Sequence, residues 1–270
     1  MEAATRSAVS SEAVATPRRA PERNLVGRRA LVTGSTDGIG AGVARRLAEA
    51  GAAVMVTGRD AEKGAAVVDG IREGGGEAFY VAADLLDPGA VAGLAEATVA
   101  ALDGPLDILV NNAALLIAPA PTAEVPAELI DRAFAISVRA AFLLTGAVAP
   151  TMVERGEGSI VNLGSISGFG GSANSALYSA TKATMHSLTK SWADEYGPSG
   201  VRVNAVAPGP TLTTKVAAME EMLAPMIARF PSRRASLVEE VADAVLFLAG
   251  DRATNIHGAI LPVDGGGSAI

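Results

Sequence analysis

Ala30-Leu31-Val32-Thr33-Gly34-Ser35-Thr36-Asp37-Gly38-Ile39-Gly40 is the stretch that decides the fold. A short apolar run ends in a glycine-rich turn, and beyond it Val43, Leu47 and Ala50 recur at the spacing of one helix face. A second apolar run, AAVMVTG, follows at 52–58, so strand, turn, helix and strand come in the order of a parallel βαβ unit. Working outward, EAFYVAAD, LDILVNNA, GSIVNLGS, VRVNAVAPG and GAILPVDGG repeat the strand pattern, separated by segments of helical length. Strands that read as continuous apolar runs belong in a parallel sheet covered on both faces. The expectation is a single α/β domain over about residues 25–270, doubly wound, with seven parallel strands and helices on both faces.

Composition narrows the function classes. Of 270 residues, 49% are hydrophobic and 19% charged, which suits a large buried core. A net charge of -7 gives no electrostatic reason to bind nucleic acid or an anionic membrane. The chain has no cysteine, which removes disulfides, thiolate nucleophiles and Cys-ligated zinc. Its two histidines, His186 and His257, lack metal-ligand spacing, so no metal is expected. No uninterrupted apolar run approaches the ~18 residues of a membrane span. Residues 1–24, with four Arg against three Glu, read as a disordered tail outside the fold or, alternatively, as a transit peptide. A cytoplasmic protein is expected.

In a doubly wound sheet, ligands bind beyond the carboxyl ends of the strands. Gly34, Gly38 and Gly40 let backbone approach a pyrophosphate, with a helix N-terminus aimed at its charge. Ser35, Thr36, Asp37 and Ile39 complete that cofactor-binding turn. The second strand ends Thr57-Gly58-Arg59, with no acid at 57 or 58 to grip a ribose 2′-hydroxyl. Arg59 can meet a 2′-phosphate, which favours NADP(H) over NAD(H); the alternative is a solvated loop cation beside Asp60. Asp84, after the third strand, either accepts from adenine N6, with Leu85 beside it, or caps a helix.

Tyr178 and Lys182 lie four apart in a helical stretch, so phenol and ammonium project from one face. A free tyrosine titrates near ~10, and bringing it to neutrality needs about 4 kcal/mol of preferential stabilisation of the phenolate. The Lys charge in a partly dry cleft is a source for it.

Taken together these residues resemble the short-chain dehydrogenase/reductase family, from about Val26 to Gly267. The resemblance rests on TGSTDGIG at 33–40, NNAA at 111–114, Ser165 thirteen residues before Tyr178, YSATK at 178–182, NAVAPG at 204–209 and VDGG at 263–266. The spacings TGxxxGxG and YxxxK are similar to the ketoreductase branch, and unlike the enoyl reductases, whose Tyr and Lys lie further apart. The resemblance implies a Rossmann-type fold. It makes Tyr178 the general acid or base at a carbonyl oxygen, opposite hydride transfer from NADPH. Ser165 would donate to the same oxygen, and Lys182 would hold the nicotinamide ribose and lower the Tyr178 pKa. Asn111 and Ala113 would line the adenosine side. Thr213 would anchor the carboxamide, and Pro208, Gly209 and Thr211 of the same run belong to the cofactor site.

Two positions depart from the family pattern. Ala114 replaces a glycine, and Ser137 stands where an asparagine holds a proton-relay water, so Ser137 is either a relay or a passive helix residue. Residues 210–236 are expected to cover the substrate, with Met219, Met222, Leu223, Met226, Ile227 and Phe230 on one apolar face, as a lid or as a helix packed on the domain. Leu115, Leu116, Ile117 and Phe169 would add apolar wall, suiting a largely apolar substrate: a cyclic ketone, a polyketide- or steroid-like carbonyl, or an acyl thioester. His186 reads as packing or surface, with a catalytic role as the alternative, and His257 as a subunit-contact or surface residue. By resemblance, Trp192 and Phe142 lie on helices that pair across a subunit interface, implying a homodimer or homotetramer. The expected function is NADP(H)-preferring interconversion of a secondary alcohol and a ketone. The alternatives are a non-catalytic dinucleotide-binding sensor or scaffold and an isomerase or dehydratase of the same fold.

Overall fold

A computed structural model describes residues 24–217 and 220–270. The expected tail up to residue 23, and Met219 of the expected lid, lie outside the described residues. All seven expected strands form: β1 (Arg29–Val32), β2 (Ala53–Gly58), β3 (Glu77–Ala82), β4 (Ile108–Asn111), β5 (Gly158–Leu163), β6 (Val201–Pro208) and, past a small strand pair, β9 (Ile260–Val263). They pair in parallel in the order β3-β2-β1-β4-β5-β6-β9. The order reverses between β1 and β4, and this opens a crevice at their carboxyl ends.

Side-chain alternation divides the core in two. Ala30 and Val32 of β1, Val54 and Val56 of β2, and Val110 of β4 face α1 (Gly38–Glu49), α2 (Ala61–Glu73) and α9 (Val238–Ala249). Leu31, Met55 and Leu109 face the opposite layer of α3 (Pro88–Ala101), α5 (Ala140–Arg155) and α6 (Ala176–Tyr196). This period of two is what a strand buried on both faces requires.

Two features were not legible in the pattern. First, α4 (Ala127–Phe134) runs into α5 through a π-helical turn, Ala135–Arg139, which carries Ser137. The resulting helix, Ala127–Arg155, is long and apolar enough by composition to cross a membrane, with a mean hydropathy of 1.6 in its richest window. Scattered polar residues interrupt its apolar runs, so no unbroken apolar stretch marks its length in the sequence. Leu144, Val148, Ala149 and Met152 bury this helix in the core. Second, β7 (Thr211–Leu212) and β8 (Ser236–Leu237) pair in parallel and close the base of the segment between them, which carries α7 (Thr214–Ala217) and α8 (Glu220–Ile227).

Candidate active site

The floor of the crevice is stitched from the ends of β1, β2 and β4. Thr33 Oγ1 accepts from the backbone N–H groups of Asn112 and Ala113, each at 3.0 Å. Asn112 Nδ2 returns the tie, donating to the carbonyls of Thr33 at 2.7 Å and Gly34 at 3.1 Å. Ser35, fully buried, donates from Oγ to Val32 O at 2.6 Å and accepts from Thr57 N at 3.0 Å. The turn between β1 and α1 is thus held on both sides before any ligand arrives. Gly34 takes a positive φ of 63°, and a Cβ at Gly40 would overlap Gly34 O and Asn112 Nδ2. Asp37 caps α1, accepting from Gly38 N at 2.7 Å. Thr36 lies over Gly58, and Ile39 packs against the core. A backbone cradle that a Cβ would fill, opening a twelve-residue helix, fits a dinucleotide pyrophosphate.

Arg59 is exposed just past β2, and its neighbour Asp60 is engaged in capping α2, accepting from Lys63 N at 3.1 Å. Asp84 does not cap a helix: it accepts from Leu86 N at 3.0 Å in its own turn, while Asp87 caps α3. Leu85 packs on the core beside it. Asn111 departs from its expected place. Its buried amide points into the protein, donating to Asn162 Oδ1 at 2.9 Å and Thr145 Oγ1 at 3.2 Å. Asn162 continues the chain to Thr189 Oγ1 at 2.9 Å. The cause is register, since Asn111 and Asn162 sit side by side on β4 and β5, where the Asn111 amide N–H finds the Asn162 oxygen. Ala113 remains at the crevice, against Gly34. Ala114 is exposed and free of a positive φ, so alanine is accommodated without strain.

Across the crevice, Pro208 ends β6 and Gly209 N donates to Val263 O at 3.1 Å. The Thr211 hydroxyl donates to Gly209 O at 3.0 Å, and the Thr213 hydroxyl accepts from Val216 N at 3.3 Å. The Thr213 methyl would stand 3.4 Å from a Cβ on Gly38, which brings the start of the 213–235 segment over the phosphate turn.

The chemistry-bearing residues meet where α6 runs past the end of β5. Ser165 is buried, accepts from Ser167 N at 3.2 Å and hydrogen-bonds the Tyr178 phenol. Lys182, one turn further on, is 4% exposed and donates from Nζ to Leu163 O at 2.9 Å, with Nζ 5.8 Å from the Tyr178 ring centre. Burial pulls the Lys182 ammonium down to about 8. Burial also pushes the Tyr178 phenol above its ordinary value, with the hydrogen bond from Ser165 acting the other way. The expected lowering of Tyr178 by Lys182 is therefore not seen: removal from water disfavours phenolate and ammonium alike, and that effect dominates. Ser137, buried in the π-helical turn, accepts from Leu115 N at 3.2 Å and so fixes the loop after β4.

In the loops after β4 and β5, Leu116 and Phe169 are about half exposed, at 49% each, and Ala120 N donates to Asn174 O at 2.8 Å, joining the two loops. The expected apolar face of the lid divides. Ile227 and Phe230 are buried, with Leu223 packed beside Ile227, whereas Met222 and Met226 are exposed. Trp192 and Phe142 meet within the chain, ring centres 5.8 Å apart, with Phe142, Ile130 and Leu143 presenting apolar surface. His257 is exposed. Sequence reasoning passed over Thr33, Asn112, Asn162 and Thr189. Polar residues at the ends of runs otherwise buried on both faces were the signal for the first three.

A protein family described as Enoyl-(Acyl carrier protein) reductase matches residues 34–268. The cis-4-hydroxycyclohexanecarboxylate dehydrogenase of Sinomonas cyclohexanicum is 43% identical over 244 residues, covering 90% of this chain and 97% of that one. Among solved structures, a short chain dehydrogenase/reductase family protein superimposes with a TM-score of 0.83 at 44% identity, covering 92% of this chain and 100% of the other. A protein from Beutenbergia cavernae with NADP bound at low occupancy gives a TM-score of 0.86 at 40% identity, covering 93% and 100%. With a dinucleotide cradle at the switch point and a Ser–Tyr–Lys cluster beside it, this chain belongs to the short-chain dehydrogenase/reductase family and is an NAD(P)-dependent oxidoreductase acting on CH–OH groups.

Proposed function

We propose that the protein is an NADP(H)-preferring oxidoreductase that interconverts a secondary alcohol and a ketone, working in the cytoplasm as a homo-oligomer. The observation that carries this reading is the buried Tyr178 phenol hydrogen-bonded with Ser165, with Lys182 one turn behind it and the glycine turn across the crevice. When bound, the reduced nicotinamide supplies hydride to the carbonyl carbon. Tyr178 gives its proton to the carbonyl oxygen, and Ser165 turns its hydroxyl from the phenol to the same oxygen, stabilising the charge that develops there. In alcohol oxidation the same groups run in reverse. Lys182 holds the ribose hydroxyls. Ser137, whose hydroxyl keeps its own proton free to donate, assists the return of a proton towards Tyr178.

Arg59 supports NADP(H), because its guanidinium is exposed at the strand end and Asp60 is engaged elsewhere. The NADP carried by the Beutenbergia cavernae protein supports it too. Asp84 keeps a carboxylate oxygen for adenine N6. Residues 25–270 form the catalytic domain, and Met222 and Met226 of the 210–236 segment close over the substrate. The apolar walls from Leu115, Leu116, Ile117 and Phe169 suit an alicyclic alcohol or ketone, in line with the ring alcohol named for the Sinomonas relative. Phe142, Ile130 and Leu143 supply an apolar face for a second subunit.

The test is titration of the protein with NADPH and NADH, followed by NADPH absorbance with a panel of alicyclic ketones for wild type and Tyr178→Phe. Binding of NADPH to both, with turnover by wild type alone, is expected. Binding without turnover on any ketone or alcohol would favour the sensor reading.

A further inference from the structure

We propose that His186 is a positioning residue for Ser165: wedged between Gly164 and Gly168, its imidazole fastens the turn that carries Ser165 to the helix face that carries Tyr178 and Lys182. The proposal deepens the oxidoreductase reading and rests on it for its kinetic part.

Tyr178, Lys182 and His186 are four residues apart in turn, so they stand in one row along α6. Residues 163–169 run beside that row and are tied to it at each step. Tyr178 meets Ser165, Lys182 donates to Leu163 O at 2.9 Å, and His186 hydrogen-bonds the backbone of Gly168. The imidazole is 5% exposed, with the Phe169 ring centre 4.8 Å from its own. It fits only because its two flanking residues are glycines. A Cβ at Gly164 would overlap Nε2, and one at Gly168 would lie 2.6 Å from Cε1 and 2.8 Å from Nδ1.

The protonation state follows from the partners. Nε2 is buried without a hydrogen-bond partner while Nδ1 lies against Gly168, so we assign the bond to the Gly168 backbone to Nδ1–H, donating to the carbonyl oxygen. Burial and the neighbouring charges of Lys182 and Lys190 push the imidazole below its ordinary value, against the hydrogen bond to Gly168, and so favour the neutral ring. Gly168 N in turn donates to Ser165 O at 2.9 Å, which closes the turn on Ser165 itself. A displacement of Gly168 is therefore passed to the Ser165 hydroxyl within a single hydrogen-bonded turn. The Lys182 tie to Leu163 stands before Ser165 and cannot hold the part of the turn after it.

The atom assignment gives the test its discrimination. Asparagine places an N–H where Nδ1 stands, glutamine places one where Nε2 stands, and leucine keeps bulk but no donor. His186→Leu is expected to lower kcat about 10- to 100-fold with NADPH affinity unchanged, and to speed hydrogen exchange at the Gly168 and Phe169 amides. His186→Asn is expected to restore both readouts, and His186→Gln neither. In a Ser165→Ala background His186→Leu should add no further loss, because both changes remove the same hydroxyl from its place. The proposal is overturned if His186→Leu keeps wild-type kcat and exchange, if Gln rescues as well as Asn, or if the losses add in full. Should the Leu variant fail to fold, the Asn and Gln pair decides alone. The exchange readout needs no turnover, so a wild type inactive on every ketone would sink the oxidoreductase reading while exchange still settled the role of His186.

Discussion

The Lys182 ammonium donates to the Leu163 carbonyl at 2.9 Å from a position that is 4% exposed, so a cation is held inside the fold by one neutral acceptor. Its folded pKa of about 8 lies below the ordinary 10.5. Between these values the unfolded chain binds the proton that the folded chain has released, so this group makes stability rise with pH across that window. Below about 8 both states are protonated and the cost of the buried charge is present in full. Relative to Lys182→Met, wild type should therefore gain thermal stability as pH goes from 7 to 10. Parallel melting curves for the two proteins against pH would show that the ammonium is not desolvated as described.

Tyr178 donates or takes the reacting proton, and its removal should act on rate and not on cofactor binding. Tyr178→Phe is expected to lower kcat by about 10²- to 10⁴-fold, the range of general acid–base catalysis, with NADPH affinity unchanged. The raised phenol adds a pH signature, because alcohol oxidation needs the phenolate and ketone reduction the phenol. Oxidation should climb with pH on the alkaline side while reduction falls. Rate profiles in both directions check this, and profiles of the same slope would remove Tyr178 from the proton transfer.

The seven parallel strands, the helices on both faces and the placing of Tyr178 and Lys182 on one helix face were legible because each depends on local pattern: apolar period, glycine at a strand end, a four-residue spacing on one helix. What was not legible depended on register between strands distant in sequence. Asn111 and Asn162 are each unremarkable alone, and only their pairing on β4 and β5 turns Asn111 inward, away from the cofactor side. The effect of Lys182 on Tyr178 failed for a related reason. Spacing places two groups near one another, but the amount of water left around them is a property of the packed whole, and here burial of the phenol decides the sign.

Arg59 is expected to discriminate between cofactors. Loss of a charge-assisted bond to a 2′-phosphate costs about 1.5–3 kcal/mol, so Arg59→Ala should raise the KM for NADPH by about 10- to 100-fold and leave that for NADH nearly unchanged. Steady-state kinetics with both cofactors measure this. Equal changes for the two would mean that Arg59 contacts no 2′-phosphate.

Gly40→Ala tests whether the phosphate turn is held as tightly as its hydrogen bonds indicate. A methyl at position 40 would overlap Gly34 O and Asn112 Nδ2, the pair that ties β1 to β4, so neither neighbour can yield without releasing the other. Overpacking of this kind costs about 1–3 kcal/mol, and here it also displaces the backbone that should meet the pyrophosphate. Gly93→Ala is the matched control. It sits in α3 with open space beyond its own helix backbone for the new methyl, and alanine there should stabilise by about 0.4–1 kcal/mol by restricting the unfolded chain. The two substitutions are chemically identical and should move the melting temperature in opposite directions, with NADPH affinity lost only at position 40. If Gly40→Ala melts as wild type and binds NADPH as tightly, the turn is plastic, and the preformed cradle at the end of β1 is not what holds the cofactor.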